Sequence, residues 1–444
     1  MPPKPVLDIL RQLRQAGHQA LLAGGCVRDH LMGRQPKDYD VATSARPPQV
    51  QQLFRGSRAV GEHFGVIVVP TPAMRDHGGH EWIEVATFRC DGSYLDGRHP
   101  QEVSFSDAVH DAQRRDFTVN GLFWDPLEDQ ILDYVGGRAD LQQGLLRAIG
   151  DASQRFAEDK LRLLRALRFA STLGFEIHQD TWSALCAAAP QVACVSAERT
   201  RDELCRLLAH PNRLRGFDLL CQSGLMQAVL PEIMALQGVE QPPQWHPEGD
   251  VFIHTRLMLG ALQPQAPLPL ILAVLLHDIA KPATFSRDEV GRIRFHGHDK
   301  LGAQMAAEIL RRLRFDNETS TQVCTMVEQH MAFKDVQKMR QSTLRRFMAR
   351  DTHSMELELH RVDCLCSNGL LDNHRFLLQK AGEFEHQVLL PPPLLNGRDL
   401  MALGHQPGPT LGALLRQLHD AQLEGQIKDR EQALQWVRAH GPLA

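Results

Sequence analysis

The nine cysteines are scattered from Cys26 to Cys366 and none stand in a CxxC spacing, which excludes a zinc knuckle and, with the odd count, a disulfide framework. No apolar run approaches the ~20 residues of a membrane-spanning helix. The opening residues, MPPKPVLDILRQLRQAG, lack both an apolar core and a small-residue cleavage site, so a first amphipathic helix is expected rather than a signal peptide. A cytoplasmic protein with reduced thiols and no membrane contact follows from these absences. Positive charge is not in excess either: 49 Lys and Arg stand against 53 Asp and Glu, a net −4, so any contact with nucleic acid must be made by local clusters. Fixed-period repeats and low-complexity tracts are also missing. What is present is an ordinary globular composition, 43% hydrophobic and 23% charged, over 444 residues, which is more than one core sustains and predicts three or four domains.

The texture changes near residue 140. Before it, the β-branched runs GVIVVPT (65–71), WIEVATF (82–88) and QILDYV (130–135) alternate with helical stretches and Gly/Pro/Asp turns, the pattern of an α/β fold. After it, LRLLRALRFASTLGF, QDTWSALCAAAPQV and RTRDELCRLLAH carry helical periodicity between Gly, Pro and Asn breaks. LQGVEQPPQWHPEGD (236–250) and LLPPPLL (389–395) mark two further boundaries.

Residues 23–44, AGGCVRDHLMGRQPKDYDVATS, hold the densest pattern. LLAGG reads as a strand entering a Gly-Gly turn, and CVRDHLMG as a short helix ending at Gly33. Backbone N–H groups at such a turn favour an anion, although an ordinary tight turn has the same letters. In a strand at DYDVAT, Asp38 and Asp40 share a face and Tyr39 takes the other. Neighbouring carboxylates repel, so they belong either to a solvated edge or around Mg²⁺, which takes a few carboxylate oxygens and fills its shell with water and phosphate oxygens.

The run GGxVRDxLxGRxxxDxD, continued by VAT, resembles the head motif of polymerase-beta-like nucleotidyltransferases, in the class II branch of bacterial tRNA CCA-adding enzymes and poly(A) polymerases. RRDFTVNGLFWDP (114–126), DYVGGRADLQQGLLRAIGD (133–151) and EDKLRLLRALRFASTLGF (158–175) are similar to the next blocks of that family, in its order, so the resemblance covers residues 20–210. It implies transfer of nucleotides from CTP and ATP to an RNA 3′ end, with release of pyrophosphate and with Mg²⁺ held by Asp38 and Asp40. It also implies nucleotide contacts at Gly24, Gly25, Arg115, Asp116 and Asn120. Arg28 beside the turn, and less directly Lys37, are candidate phosphate contacts, and Glu84 is a candidate third carboxylate. CDGSYLDGRHPQEVSFSD (90–107) lies where the family has a flexible segment used in passing from cytidine to adenosine, which implies addition of at least the terminal A.

Asp159 and Arg162 stand three apart on an expected helix and share a face. They make either an ion pair with each other or a recognition edge for a base. A carboxylate only accepts and a guanidinium only donates; cytosine and adenine both present an exocyclic amine beside an acceptor nitrogen, whereas uracil and guanine present a carbonyl beside N–H. Such an edge admits CTP and ATP and rejects UTP and GTP. Arg165, one turn on, would support base or phosphates.

Farther along, His254, LLHDIAK with His277 and Asp278, FHGHD with His296 and His298, EQH at His330 and HRVDC with Asp363 resemble the HD metal-dependent phosphohydrolases. A His-Asp pair inside an apolar helix is costly unless ligated, and imidazoles with carboxylates, above all His254, His277, Asp278 and Asp363, suit Mn²⁺, Ni²⁺ or Co²⁺. The pattern fits an active hydrolase or a retained RNA-binding scaffold. The expected organisation is an α/β head with a mixed sheet (1–140), then an all-α neck (141–235), HD domain (236–388) and tail (389–444). From residue 391 on, Arg398, Arg416, Lys428, Arg430 and Arg438 balance Asp399, Asp420, Glu424, Asp429 and Glu431. A neutral tail favours a folded tRNA, read by shape, over the arbitrary RNA of a poly(A) polymerase, which needs phosphate contacts. The remaining alternative is an HD phosphohydrolase acting on RNA ends; no protein partner can be inferred.

Overall fold

The computed structural model of the chain describes residues 1–60, 65–71, 81–92 and 103–440. It divides into two units, Met1–Met234 and Ala235–Ala444.

The first unit begins with the expected amphipathic helix, Lys4–Gln15, whose Val6, Ile9, Leu10 and Leu13 fall on one stripe and are buried. The sheet is built from β1 (Ala20–Ala23), β2 (Asp40–Thr43), β3 (Arg58–Ala59), β4 (Val66–Thr71) and β5 (Glu81–Thr87). After a separate antiparallel pair, β6 (Arg89–Asp91) with β7 (Val103–Phe105), it is completed by β8 (Leu122–Asp125) and β9 (Gln130–Asp133). The order is β3-β4-β5-β2-β1-β8-β9. Only β2 and β5 run parallel, and the other neighbours are antiparallel. The sheet is therefore mixed, as expected.

Strand alternation assigns the two faces. Leu22, Val41, Ile67, Val69, Ile83 and Val85 pack against the first helix and the helices Gly25–Leu31 and Pro47–Leu53. Leu21, Ala23, Ala42 and Phe123 pack on the other face against Ala108 and Ala112 of the helix Ala108–Gln113. Each fully buried Leu on these faces contributes about 2 kcal/mol. The second face is only partly covered, and Asp40, Trp82 and Glu84 on it are exposed.

The neck helices follow. Leu161–Leu173 ends on Gly174 at φ +77°, a left-handed cap. It packs with Ala197–Leu208 and Arg213–Gln222, where a Cβ on Gly216 would lie 2.4 Å from Leu207 Cδ2; glycine permits that helix approach.

In the second unit, Leu268–Leu276 is apolar all round and buried from Leu270 on, so it is a core helix that delivers His277 and Asp278 at its end. Around it stand Val251–Ala261, His298–Arg312, Asn317–Gln329 and His353–Cys366. A final set, Gly397–Ala402, Pro409–Leu423 and Arg430–His440, has its own core of Leu400, Leu414, Leu418 and Val437.

Candidate functional site

A cavity of about 390 Å³ in the first unit gathers Gly24, Gly25, Arg28, Asp40, Arg115, Asp116, Asn120, Asp159, Arg162 and Arg165. These residues come from stretches as far apart as Gly24 and Arg165, and every nucleotide-contact candidate named above except Lys37 is among them. Arg114, Arg199, Leu161 and Phe169 complete the lining. Six arginines thus face three aspartates, a field suited to a polyphosphate.

Gly24 sits at φ +75°, and a Cβ there would stand 2.9 Å from Arg115 Nη1. Arg115 and Arg114 both donate to the buried Asp111, at 2.7–3.3 Å. Burial alone would raise the Asp111 carboxyl, but the two guanidinium charges outweigh it and hold it below its ordinary value. Asp111 was not foreseen; an acid three and four residues ahead of an Arg pair is the signal that would have found it. Arg28 donates to Asn120 Oδ1 at 2.6 Å and to Asp29, with Phe169 5.4 Å from its guanidinium.

Two expectations about the helix at 158–175 need correction. Asp159 lies in extended conformation between the helices Ala152–Glu158 and Leu161–Leu173, so it is not three residues along one helix from Arg162. The two do not form the pair that i,i+3 spacing suggests. Asp159 is bound by Arg199 and by the Leu161 N–H, whereas Arg162 donates to Glu158 at 2.6 Å and to the carbonyls of Arg155 and Arg114. Arg165 is likewise committed: Nε and Nη2 donate to Asp116 Oδ2 at 2.9 and 2.7 Å. Burial would raise Asp116, but Arg165, Asn120 and Arg162 overcome it and bring its carboxyl to about 2.

The expected DxD strand is shorter than foreseen. β2 starts at Asp40; Asp38 and Lys37 precede it, exposed, and do not line the cavity. The pairing of Val41 with Val85 sets residues 40 and 84 side by side on parallel strands, so Glu84 does join Asp40. Although open to water at its edge, the Asp40 carboxyl is pushed up to about 6 by desolvation, then by the charges of Glu84 and Asp38, against the pull of Arg115. A carboxylate crowded by two others fits a divalent cation. The DGRHP stretch (96–100) lies outside the described residues.

The second unit holds a cavity of about 670 Å³ lined by His277, Asp278, His298, His330, Asp363 and Lys281 among others. His277, His298 and His330 each tie Nδ1 to a backbone carbonyl, at 2.9, 2.7 and 2.6 Å. A neutral ring whose Nδ1–H donates to such a carbonyl offers its Nε2 lone pair to a metal, the arrangement that ligating imidazoles adopt; His277 Nε2 lies 3.0 Å from Asp278 Oδ2. The Nε2 atoms of His298 and His330 are 3.1 Å apart and stand 3.7 and 4.0 Å from Asp278 Oδ1. Burial and the neighbouring His277 bring His330 down to about 4, so it is neutral. Asp278 Oδ2 and His277 Nε2 are buried without a hydrogen bond of proper geometry, even though Lys281 lies 2.7 Å from that oxygen. His254 stands behind, with Nε2 3.1 Å from Asp363 Oδ1 and Nδ1 2.6 Å from Glu248 Oε1. The donor set fits a transition metal, with His298 and His330 added to the four expected ligands. His296 lines the same cavity but is exposed, unlike the buried His277, His298 and His330. Glu248 and Lys281 were missed, Glu248 because its Pro- and Gly-rich surroundings read only as a boundary.

Comparison with known proteins finds family domains in both units. The Poly A polymerase head domain matches residues 20–147, the probable RNA and SrmB-binding site of polymerase A matches 174–236, and the HD domain matches 251–363. An A-adding tRNA nucleotidyltransferase of Deinococcus radiodurans is 34% identical over 437 residues, covering 94% of this chain and 95% of the relative. The chain belongs to the tRNA nucleotidyltransferases. A CC-adding member of the family, from Thermus thermophilus, is also 34% identical, over 93% of this chain and 92% of its own. The CCA-adding enzyme of Bacillus stearothermophilus, solved in complex with CTP, superposes with a TM-score of 0.73 at 27% identity, covering 99% of each chain. The α/β head followed by helical domains is thus the family fold, and the chain is a nucleotidyltransferase enzyme. No helix among the described residues is long and apolar enough to cross a membrane.

Proposed function

We propose that the cavity at Asp40 extends the 3′ end of tRNA with nucleotides drawn from CTP and ATP, adding at least the terminal A of CCA. The single observation that carries this reading is the convergence of the Gly-Gly turn, Asp40, the RRDFT block and Asp159 with Arg162 on one arginine-rich cavity. Phosphoryl transfer asks chiefly for positioning and charge neutralisation. Arg115 beside Gly24, with Arg28, meets the triphosphate, while the Asp116–Arg165 pair and Asn120 hold the floor of the site.

Asp159 and Arg162 select the base. Arg199 fixes the Asp159 carboxylate, whose remaining lone pairs accept from the exocyclic amine of cytosine or adenine. Three of the Arg162 N–H groups are committed to the protein, and the other two donate to the ring acceptor. Asp40 and Asp38, with Glu84 beside them, would hold Mg²⁺. When bound, that ion neutralises phosphate oxygens and lowers the pKa of the attacking 3′-hydroxyl.

The full-length relatives divide between A and CC addition; the DGRHP stretch and the neutral tail support terminal A addition on a folded tRNA. In this reading the chain comprises a catalytic head (1–140), a neck (141–235), an HD domain (236–388) and a tRNA-binding tail (389–444). The free state of all nine cysteines accords with a cytoplasmic setting. The inward Nε2 atoms around Asp278 support a second activity, hydrolysis of phosphoesters with Mn²⁺, Ni²⁺ or Co²⁺.

The test is product length. Wild-type protein is incubated with tRNA ending before C74, with CC-ended tRNA and with an unstructured RNA, and with each NTP singly and together. One A on CC-ended tRNA, and no tailing of the unstructured RNA, is expected. Long A tails on any RNA would instead identify a poly(A) polymerase.

A further inference from the structure

Trp82 is 39% exposed, a large apolar ring left open on the face of the sheet that also carries Asp40 and Glu84. The guanidinium of the exposed Arg58 lies over it, 5.1 Å from the ring centroid. Their placement follows from register. Residues 82 and 84 are two apart on β5 and so share a face, about 7 Å from each other along the strand. Residue 84 is level with residue 40 on β2. Arg58 pairs with Val68, which pairs with Glu84, so Arg58 is rooted two strands farther out at the same level.

Across the sheet there is therefore an order. The nucleotide cavity is built on the β1 and β8 side, with Gly24 directly after β1 and Asn120 just before β8. Asp40 and Glu84 stand next, on β2 and β5, and Trp82 with Arg58 beyond them. In-line displacement places the attacking oxygen and the departing pyrophosphate on opposite sides of the α-phosphorus. With the triphosphate on the β1 side, the RNA end must approach from the β5 side, where Trp82 and Arg58 are open.

We propose that Trp82 and Arg58 are the platform on which the last base of the RNA stacks, its 3′-hydroxyl thereby directed to Asp40. The chemistry suits the partner. Stacking on an aromatic ring tolerates every base, as it must where the terminal nucleotide changes after each addition, and the guanidinium attracts the adjoining phosphate. The inference rests on the reading that transfer occurs at Asp40.

The experiment measures steady-state addition of A to CC-ended tRNA by wild type, Trp82→Ala, Trp82→Phe and Arg58→Gln. It also follows fluorescence of a tRNA carrying 2-aminopurine at its 3′ end, bound to Asp40→Ala protein with and without Trp82→Ala. Trp82→Ala should raise the KM for tRNA about ten- to a hundredfold, leave the KM for ATP unchanged, and abolish the 2-aminopurine quench. Trp82→Phe should retain most of the affinity, and it carries the test with Arg58→Gln should the alanine variant fail to fold. Unchanged tRNA KM and quench, or an equal rise in the ATP KM, would overturn the platform. Full addition by Asp40→Ala would instead sink the placement of the chemistry, while the quench still reports on Trp82.

Discussion

The carboxylate of Asp159 faces both terminal nitrogens of Arg199, at 2.8 and 3.4 Å, and so is anchored from the neck helix Ala197–Leu208 rather than by Arg162. A two-nitrogen contact fixes direction as well as charge. Arg199→Met is expected to lower the preference for CTP and ATP over UTP and GTP about three- to tenfold, with Arg199→Lys intermediate, read from single-nucleotide kcat/KM ratios. Unchanged ratios in both variants would make Arg199 a purely structural partner.

Gly24 offers a test of the turn. Alanine there must adopt φ +75° with ψ −130°, a combination nearly confined to glycine, at a cost of about 1–3 kcal/mol, and its Cβ, 2.9 Å from Arg115 Nη1, moves that guanidinium. Nucleotide addition should fall about tenfold or more, with only a small drop in Tm. Wild-type rates in Gly24→Ala would remove Arg115 from the triphosphate.

How far this site was readable depended on whether the chemistry was local. The Gly-Gly turn, the RRDFT block and the inward histidines were legible because each is a short run with a fixed backbone geometry. Asp38 was placed in a strand that begins only at Asp40, since alternation alone does not say where hydrogen bonding starts. Asp159 was placed on a helix because the break at Asp159–Lys160 contains neither Gly nor Pro. Arg199 was invisible for another reason: it meets Asp159 only through tertiary packing, which no spacing records; Asp111 was overlooked although its i,i+3 and i,i+4 spacing to Arg114 and Arg115 was there to read.

Asp40 should couple metal binding to pH. Its folded carboxyl lies at about 6 against an ordinary 3.8, so between these values the folded state binds more protons than the unfolded one. Its contribution therefore opposes folding increasingly as pH rises from 3.8 to 6, and fully above that. Mg²⁺ relieves this penalty only once the proton has left. Thermal unfolding should show a Mg²⁺-dependent rise of about 2–4 °C at pH 7.5 and almost none at pH 5. Asp40→Asn should raise the metal-free Tm at pH 7.5 and abolish the response. Equal Mg²⁺ stabilisation at both pH values would contradict the assignment.

In the second unit, His298→Ala, His330→Ala and Asp278→Asn should each abolish Mn²⁺-, Ni²⁺- or Co²⁺-dependent hydrolysis of 2′,3′-cyclic phosphates and phosphomonoesters. Bound metal, measured by elemental analysis, should fall with it, and nucleotide addition should persist. His296→Ala, at an exposed position, should leave the metal in place. No hydrolysis by wild type with any of these ions would leave the domain a scaffold.

On the proposed reading, protein atoms, and not a nucleic-acid template, choose the nucleotide. Its most direct test is Asp159→Ala assayed with each of the four NTPs on CC-ended tRNA. Loss of a hydrogen bond to a charged group is worth about 1.5–3 kcal/mol, so discrimination against UTP and GTP should weaken by about one to two orders of magnitude. Transfer itself should survive at a reduced rate, since Asp40 is untouched. An equal fall in all four incorporations, with preference intact and a lower Tm, would show that Asp159 serves only its ion pair with Arg199 and that the base is chosen elsewhere.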